Sequence, residues 1–189
     1  MLNTIFSIDL LFLIPELFFI FSIIVILVYG IFISNKYTLL NNKKYNTPII
    51  TSIVNNLTIF SFVILIILYY LNLNNFRILF LGQYTIAYYT QIGKILILFI
   101  AILCSLTFNN YLKNNQINNY EYLTLIQVSI LSICLLLNTN DLLHYYVVIE
   151  LQSLCFYAIT ALKKNNIYSS EAGLKYFILG SVISGLLLL

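Results

Sequence analysis

From Pro15 to Ser34 the chain reads PELFFIFSIIVILVYGIFIS, with a single charged residue, Glu16. A predominantly apolar run of about 20 residues is what a helix needs to cross the hydrocarbon core of a bilayer. Comparable runs recur near Thr47–Leu71, Gln91–Leu112, Tyr120–Leu137, Asp141–Leu162 and Ser170–Leu189. Asn- and Lys-rich connections separate them: NKYTLLNNKKYN, NLNNFRILFLGQYTIAYY, KNNQINN, NTN and KKNNIYS. Lipid offers no hydrogen bonds to the backbone, so repeated long apolar runs are satisfied as helices. The expected fold class is therefore all-α: a polytopic membrane helix bundle of six spans, forming one transmembrane domain over residues 1–189.

The charge content excludes several kinds of function. Apolar residues make up 61% of the chain and charged residues 8%, whereas a soluble domain carries about a quarter charged. The net charge of +3 is spread thinly, so no basic block suits nucleic acid. Cys104, Cys134 and Cys155 lie singly in apolar runs, and His144 is the only histidine. A four-ligand metal site or a cysteine-held cluster is not expected, and no phosphate loop is present. The chain should hold no cofactor or metal of its own, so any catalysis is expected to be of the proton-moving kind or to happen in a partner. Heavy use of Asn, Ile, Leu, Tyr and Phe, with no Trp and one Arg, fits A/T-rich codons such as those of a mitochondrial genome. The apolar lead-in before Pro15 has no basic flank, so a cleaved secretory signal is not expected.

Basic loops stay on the side of synthesis. Lys36, Lys43, Lys44, Lys113, Lys163 and Lys164 all fall in connections one, three and five, whereas Arg77 alone serves two and four. Both termini are then expected on the outer face. The second connection, FRILFLGQYTIAYY, is read as a hairpin around Gly82 and Gln83 or as an interfacial segment with its tyrosines among lipid headgroups. The final span runs to LLLL at Leu189 without a polar tail, as if another polypeptide continues the bundle.

An ionisable residue inside a span costs roughly 2.5–3.5 kcal/mol on insertion scales and is a functional candidate by default. Glu150 lies about 14 Å along its helix from Asp141, near the midplane. Tyr146, Glu150, Ser153 and Tyr157 share its face at helical spacing. That face suits a proton path, or else a protonated glutamate that fixes helix packing. Lys175 lies about 8 Å into the sixth span and either takes part in a water-linked relay or snorkels to the surface. Lys94, near the outer end of span three, reads as an interfacial anchor. Glu16 and Glu171 read as favourable negative charges at helix starts. His144 fits an outer proton exit or a solvated helix start. In the sixth span, Gly180 with Ser184 and Ser181 with Gly185 allow a close helix neighbour.

EYLTLIQVSILSICLLLNTNDLLHYYVVIELQSLCFYAITALKKNN, followed by SSEAGLKYFILGSVISGLLLL, resembles the proton-pumping, antiporter-like subunit 2 of respiratory complex I. The matching pieces are Glu121–Tyr122, Asn140–Asp141, Ile149 to Ser153, Phe156–Tyr157, Lys163–Lys164 and Ser170 to Gly180. The resemblance implies a membrane-arm subunit of the mitochondrial inner membrane that contributes part of a proton half-channel, with both termini on the intermembrane-space side. It also implies that flavin, iron-sulfur clusters and ubiquinone are held by partner subunits. Glu150 is then similar to the family's intramembrane glutamate, and Lys175 to the lysine on its sixth helix. The family's next helix, with its own lysine, and the second inverted repeat are expected from a separate chain. A scaffold fragment that no longer pumps, or a subunit of a related cation/proton antiporter, are the alternatives.

Overall fold

The computed structural model describes residues 10, 12–40, 48–73, 76–114, 120–163 and 166–188. Lys43, Lys44 and Lys164, used above for orientation, lie outside them, as does Leu189. The elements in order are α1 (Ile14–Leu40), α2 (Pro48–Leu71), β1 (Arg77–Leu79), a short 3-10 turn (Phe80–Gly82), β2 (Tyr84–Ile86), α3 (Tyr88–Asn114), α4 (Tyr120–Leu136), α5 (Leu142–Thr160) and α6 (Ile167–Leu188). The all-α membrane bundle is the fold observed. Helix ends depart from the apolar runs: α1 continues past Ser34, α3 begins before Gln91 and α6 before Ser170. Polar residues extend a helix into the headgroup layer as well as apolar ones do, so hydropathy marks the hydrocarbon crossing and not the last backbone hydrogen bond.

Local chemistry accounts for several starts and stops. Pro48 occupies the first position of α2, where its missing N–H costs nothing. Asp141 is extended (φ −93°, ψ 134°) ahead of α5, and its carbonyl accepts the first helical bond from the Tyr145 N–H at 2.9 Å. Among the described residues, five helices are long and apolar enough to span a membrane. The sixth, α4, has 17 residues and is about 25 Å long. It packs against α1, α2, α3 and α5.

Helices α1 to α4 form the core. Phe19 and Ile23 of α1 meet Phe62, Leu65 and Tyr69 of α2, Leu98 and Ala101 of α3, and Ile130, Leu131 and Cys134 of α4. Phe19 stands edge-on to Phe62 at 6.0 Å between ring centroids, a favoured aromatic geometry. Helix α5 packs on α4, and α6 mainly on α5. Burial within the chain falls accordingly, from 39% of the α2 span to 6% of the α6 span. The outer helices therefore keep most of their apolar surface for lipid or for neighbouring protein.

Of the two readings of the second connection, the hairpin is the one observed. Strands β1 and β2 pair antiparallel, with Ile78 opposite Thr85, and Gly82 takes a left-handed φ of 99° in the turn. The hairpin docks on the short Asn138–Asn140 turn between α4 and α5. The Thr85 N–H donates to the Asn138 carbonyl at 2.8 Å, and the Asn140 N–H to the Gln83 carbonyl at 3.0 Å. Connections two and four thus lie at one end of the bundle, as alternating spans require.

Candidate functional site

Glu150 sits at the middle of α5 and is half-buried. Tyr146 and Ser153 are also half-buried and Tyr157 is buried, so the face they share turns partly into the protein. The Ser153 hydroxyl donates to the Glu150 main-chain carbonyl at 2.9 Å, leaving the side-chain carboxyl open to other partners. Tyr157 meets α6 edge-on, with ring centroids 5.0 Å from Tyr176 and 5.6 Å from Phe177. His144 is exposed at the start of α5, its ring 6.4 Å from that of Tyr84.

Lys175 does not reach Glu150. Its ammonium lies 2.7 Å from Glu171 Oε1, one turn away on the same helix, and both side chains are largely exposed. Glu171 stands in the second turn of α6 and not at its start, because the helix begins at Ile167. The pair occupies the surface of α6 left uncovered by this chain.

A second ionisable pair lies where the sequence suggested two unrelated surface charges. Lys94 is fully buried, and its Nζ is 2.5 Å from Glu16 Oε1, whose side chain is 5% exposed. Lys94 is thus no interfacial anchor, and Glu16 does more than complement the α1 dipole. The ammonium also lies over the ring of Tyr69 at 4.8 Å and that of Tyr84 at 5.9 Å. The Tyr84 hydroxyl donates to the same Glu16 oxygen at 3.3 Å. Burial, and next the Glu16 carboxylate, push the Tyr84 phenol well above its ordinary range, so it stays a hydroxyl donor. A buried ion pair is held only where geometry and added hydrogen bonds repay desolvation, and here two aromatic faces and one phenol assist. A clue was available in the sequence: Glu16 and Lys94 both fall near the outer ends of their spans, at one depth.

Residues 139–189 match the family model described as NADH:quinone oxidoreductase/Mrp antiporter, TM. The chain is 38% identical to NADH-ubiquinone oxidoreductase chain 2 of Marchantia polymorpha, over 95% of its own length and 36% of that protein's. It is a relative of that chain 2. The same relationship extends to NADH-quinone oxidoreductase subunit N of Pelagibacter ubique, at 36% identity over 94% of this chain and 35% of the relative. The chain therefore spans about a third of the length of the curated relatives it matches. Among solved structures, respiratory complex I from Thermus thermophilus with bound Aureothin contains a chain of like fold. The TM-score is 0.56 at 20% identity, covering 87% of this chain and 34% of that one. The likeness to chain 2 first noted over residues 120–189 thus reaches almost the whole sequence. The family-model match takes in Glu150 and Lys175 but not Glu16 or Lys94.

Proposed function

We propose that this chain is part of a membrane-arm subunit of mitochondrial NADH:ubiquinone oxidoreductase, contributing part of a proton half-channel coupled to electron transfer from NADH to ubiquinone. The observation that carries the proposal is the chain 2 and subunit N likeness along almost the entire chain, with Glu150 inside the matched region. Flavin, iron-sulfur clusters and ubiquinone belong to partner subunits in this reading, and this chain moves protons only. Glu150 is the proton-exchanging group. Half-buried, it stands near the middle of a span, where an ionisable side chain is a functional candidate by default.

The cation opposing Glu150 comes from outside these six helices, since Lys175 is engaged with Glu171. The remainder of the family fold, which this sequence does not span, packs along α5 and α6, whose surfaces these helices cover least. Other membrane-arm subunits and lipid cover what remains. The hairpin end, where Arg77 is the one basic residue of connections two and four, faces the intermembrane space together with both termini.

Glu150→Gln, introduced into the native assembly, tests the proposal. It should lower the protons moved per electron pair while NADH oxidation in the presence of an uncoupler continues. An unchanged proton yield removes Glu150 from the path and favours a scaffold role.

A further inference from the structure

We infer that the α1–α4 bundle carries a second proton-exchanging column, separate from Glu150, with the Glu16–Lys94 pair as its ionisable element. The inference rests on the proton-translocation reading above but uses none of its residues.

The column follows the buried face of α2. Asn55, Thr58 and Ser61 are all buried there, and Asn55 begins about 10 Å in from Pro48. The Asn55 amide donates to the Ser105 carbonyl of α3 at 3.2 Å, and the Gln127 amide of α4 to the Ser61 hydroxyl at 3.3 Å. The Thr58 and Ser61 hydroxyls donate to the Asn55 and Thr58 main-chain carbonyls of α2 itself at 2.7 Å. Farther along α2, Tyr69 lies beneath Lys94.

The column is short of hydrogen-bond partners. Asn55 Oδ1, Gln127 Oε1, Glu16 Oε2 and Gln91 Oε1 are buried without one, and the buried Tyr69 hydroxyl and Asn138 side chain make no well-formed bond, although they lie against Glu16 and Tyr84 respectively. Among the described residues, every such orphaned atom belongs to α1–α4 or to the turn that follows α4. Buried polar groups are almost always satisfied, and a cluster of exceptions calls for bound water or a proton-handling role. A half-open, mostly apolar pocket of about 340 Å³ lies alongside, and Thr58, Ser105 and Gln127 are among the few polar groups in its wall. It has the volume for water, which only those few groups can hold.

Phe19, Phe62, Leu65 and Leu98 belong to one apolar cluster. Phe19 is about one turn from Glu16, Leu98 one turn from Lys94, and Leu65 one turn from both Ser61 and Tyr69, so helical rise sets them as a layer between the Ser61–Gln127 level and the ion pair. Such a constriction blocks water while it stays dry and passes it when side chains part. Beyond it the pair is faced by Tyr69 of α2, Tyr84 of β2 and Cys134 of α4, with His144 of α5 reached through Tyr84.

The proton balance closes within the pair. Lys94 passes an ammonium proton to Glu16, giving a neutral amine and acid. The acid releases that proton towards the hairpin and becomes a carboxylate again. The amine takes up one proton from the column and restores the ion pair. One proton enters and one leaves.

Lys94→Arg separates this role from a structural one. Arginine keeps the charge and the bond to Glu16 but does not deprotonate in proteins. In the native assembly it should preserve assembly and uncoupled NADH oxidation while losing this column's share of the proton yield. A second variant, Glu16→Gln with Lys94→Met, removes both charges and leaves none buried alone; it should show the same loss. A high-resolution map of the unsubstituted assembly should show water within hydrogen-bonding distance of Glu16 Oε2 and Gln127 Oε1. Full proton yield in whichever of the two variants assembles, or dry density at both atoms, overturns the column. Run beside them, Glu150→Gln tells the two readings apart: loss there with full yield in the Lys94 variants leaves Glu150 standing and removes the column, and the converse removes Glu150 alone.

Discussion

The Tyr157 hydroxyl fills the space that a side chain at position 180 would need. A Cβ built on Gly180 collides with that oxygen and with the ring carbon bearing it, so α6 approaches α5 closely because residue 180 is glycine. Of the small residues noted in the last span, Gly180 meets this neighbour, whereas Gly185 has open space around it. Ser181 and Ser184 spend their hydroxyls on their own helix's carbonyls.

Gly180→Ala should therefore overpack the α5–α6 contact and cost about 1–3 kcal/mol. Tyr157→Phe removes the offending oxygen, so the alanine should cost less in that background, with a coupling of about 0.5–3 kcal/mol. Thermal stability of the purified assembly across the four combinations measures it. An equal cost in both backgrounds would mean that the hydroxyl does not set the helix spacing.

Gly82 tests the hairpin by conformation alone. Its φ of 99° is one that side chains resist, while nothing within 4 Å would obstruct an added Cβ. Gly82→Ala should cost about 1–2 kcal/mol through the backbone. The loss should appear locally, as faster exchange of the Thr85 amide that now donates to Asn138.

Tyr84 gives the hairpin a dependence on alkaline pH. Its phenol is held protonated in the folded protein, well above the ordinary value of 10.0, by burial first and the Glu16 carboxylate second. The unfolded chain ionises at the ordinary value. Stability linked to this group is therefore intact below about pH 10 and is lost as pH rises from there through the folded pKa. Tyr84→Phe should forfeit about 0.5–1.5 kcal/mol at neutral pH with the hydrogen bond to Glu16. It should also flatten that part of the alkaline fall in a thermal unfolding series.

The Glu150 face was legible because helical spacing is local: Tyr146, Glu150, Ser153 and Tyr157 share a side of any helix that contains them. The hairpin was legible as one of two readings, since Gly82 supplies the turn but nothing in FRILFLGQYTIAYY names the surface it rests on. The reach of Lys175 was not legible. Glu171, one turn earlier, offers a nearer partner than Glu150, which no single-helix pattern can weigh against a contact between helices.

The sequence by itself determined the helical membrane class, the order of its apolar segments and that the hairpin segment shares an end of the bundle with the Asn138–Asn140 turn. Those follow from the length of apolar runs and from their alternation across the bilayer. Only the tertiary structure decided that Glu16 and Lys94, 78 residues apart, are partners, and that among the described residues the buried polar side chains gather in α1–α4 and the turn after α4 while α5 and α6 stay largely uncovered. Hydropathy records a residue's preference for lipid or water. The worth of a buried charge depends instead on which groups stand within a few ångströms of it, and that is settled when the helices pack.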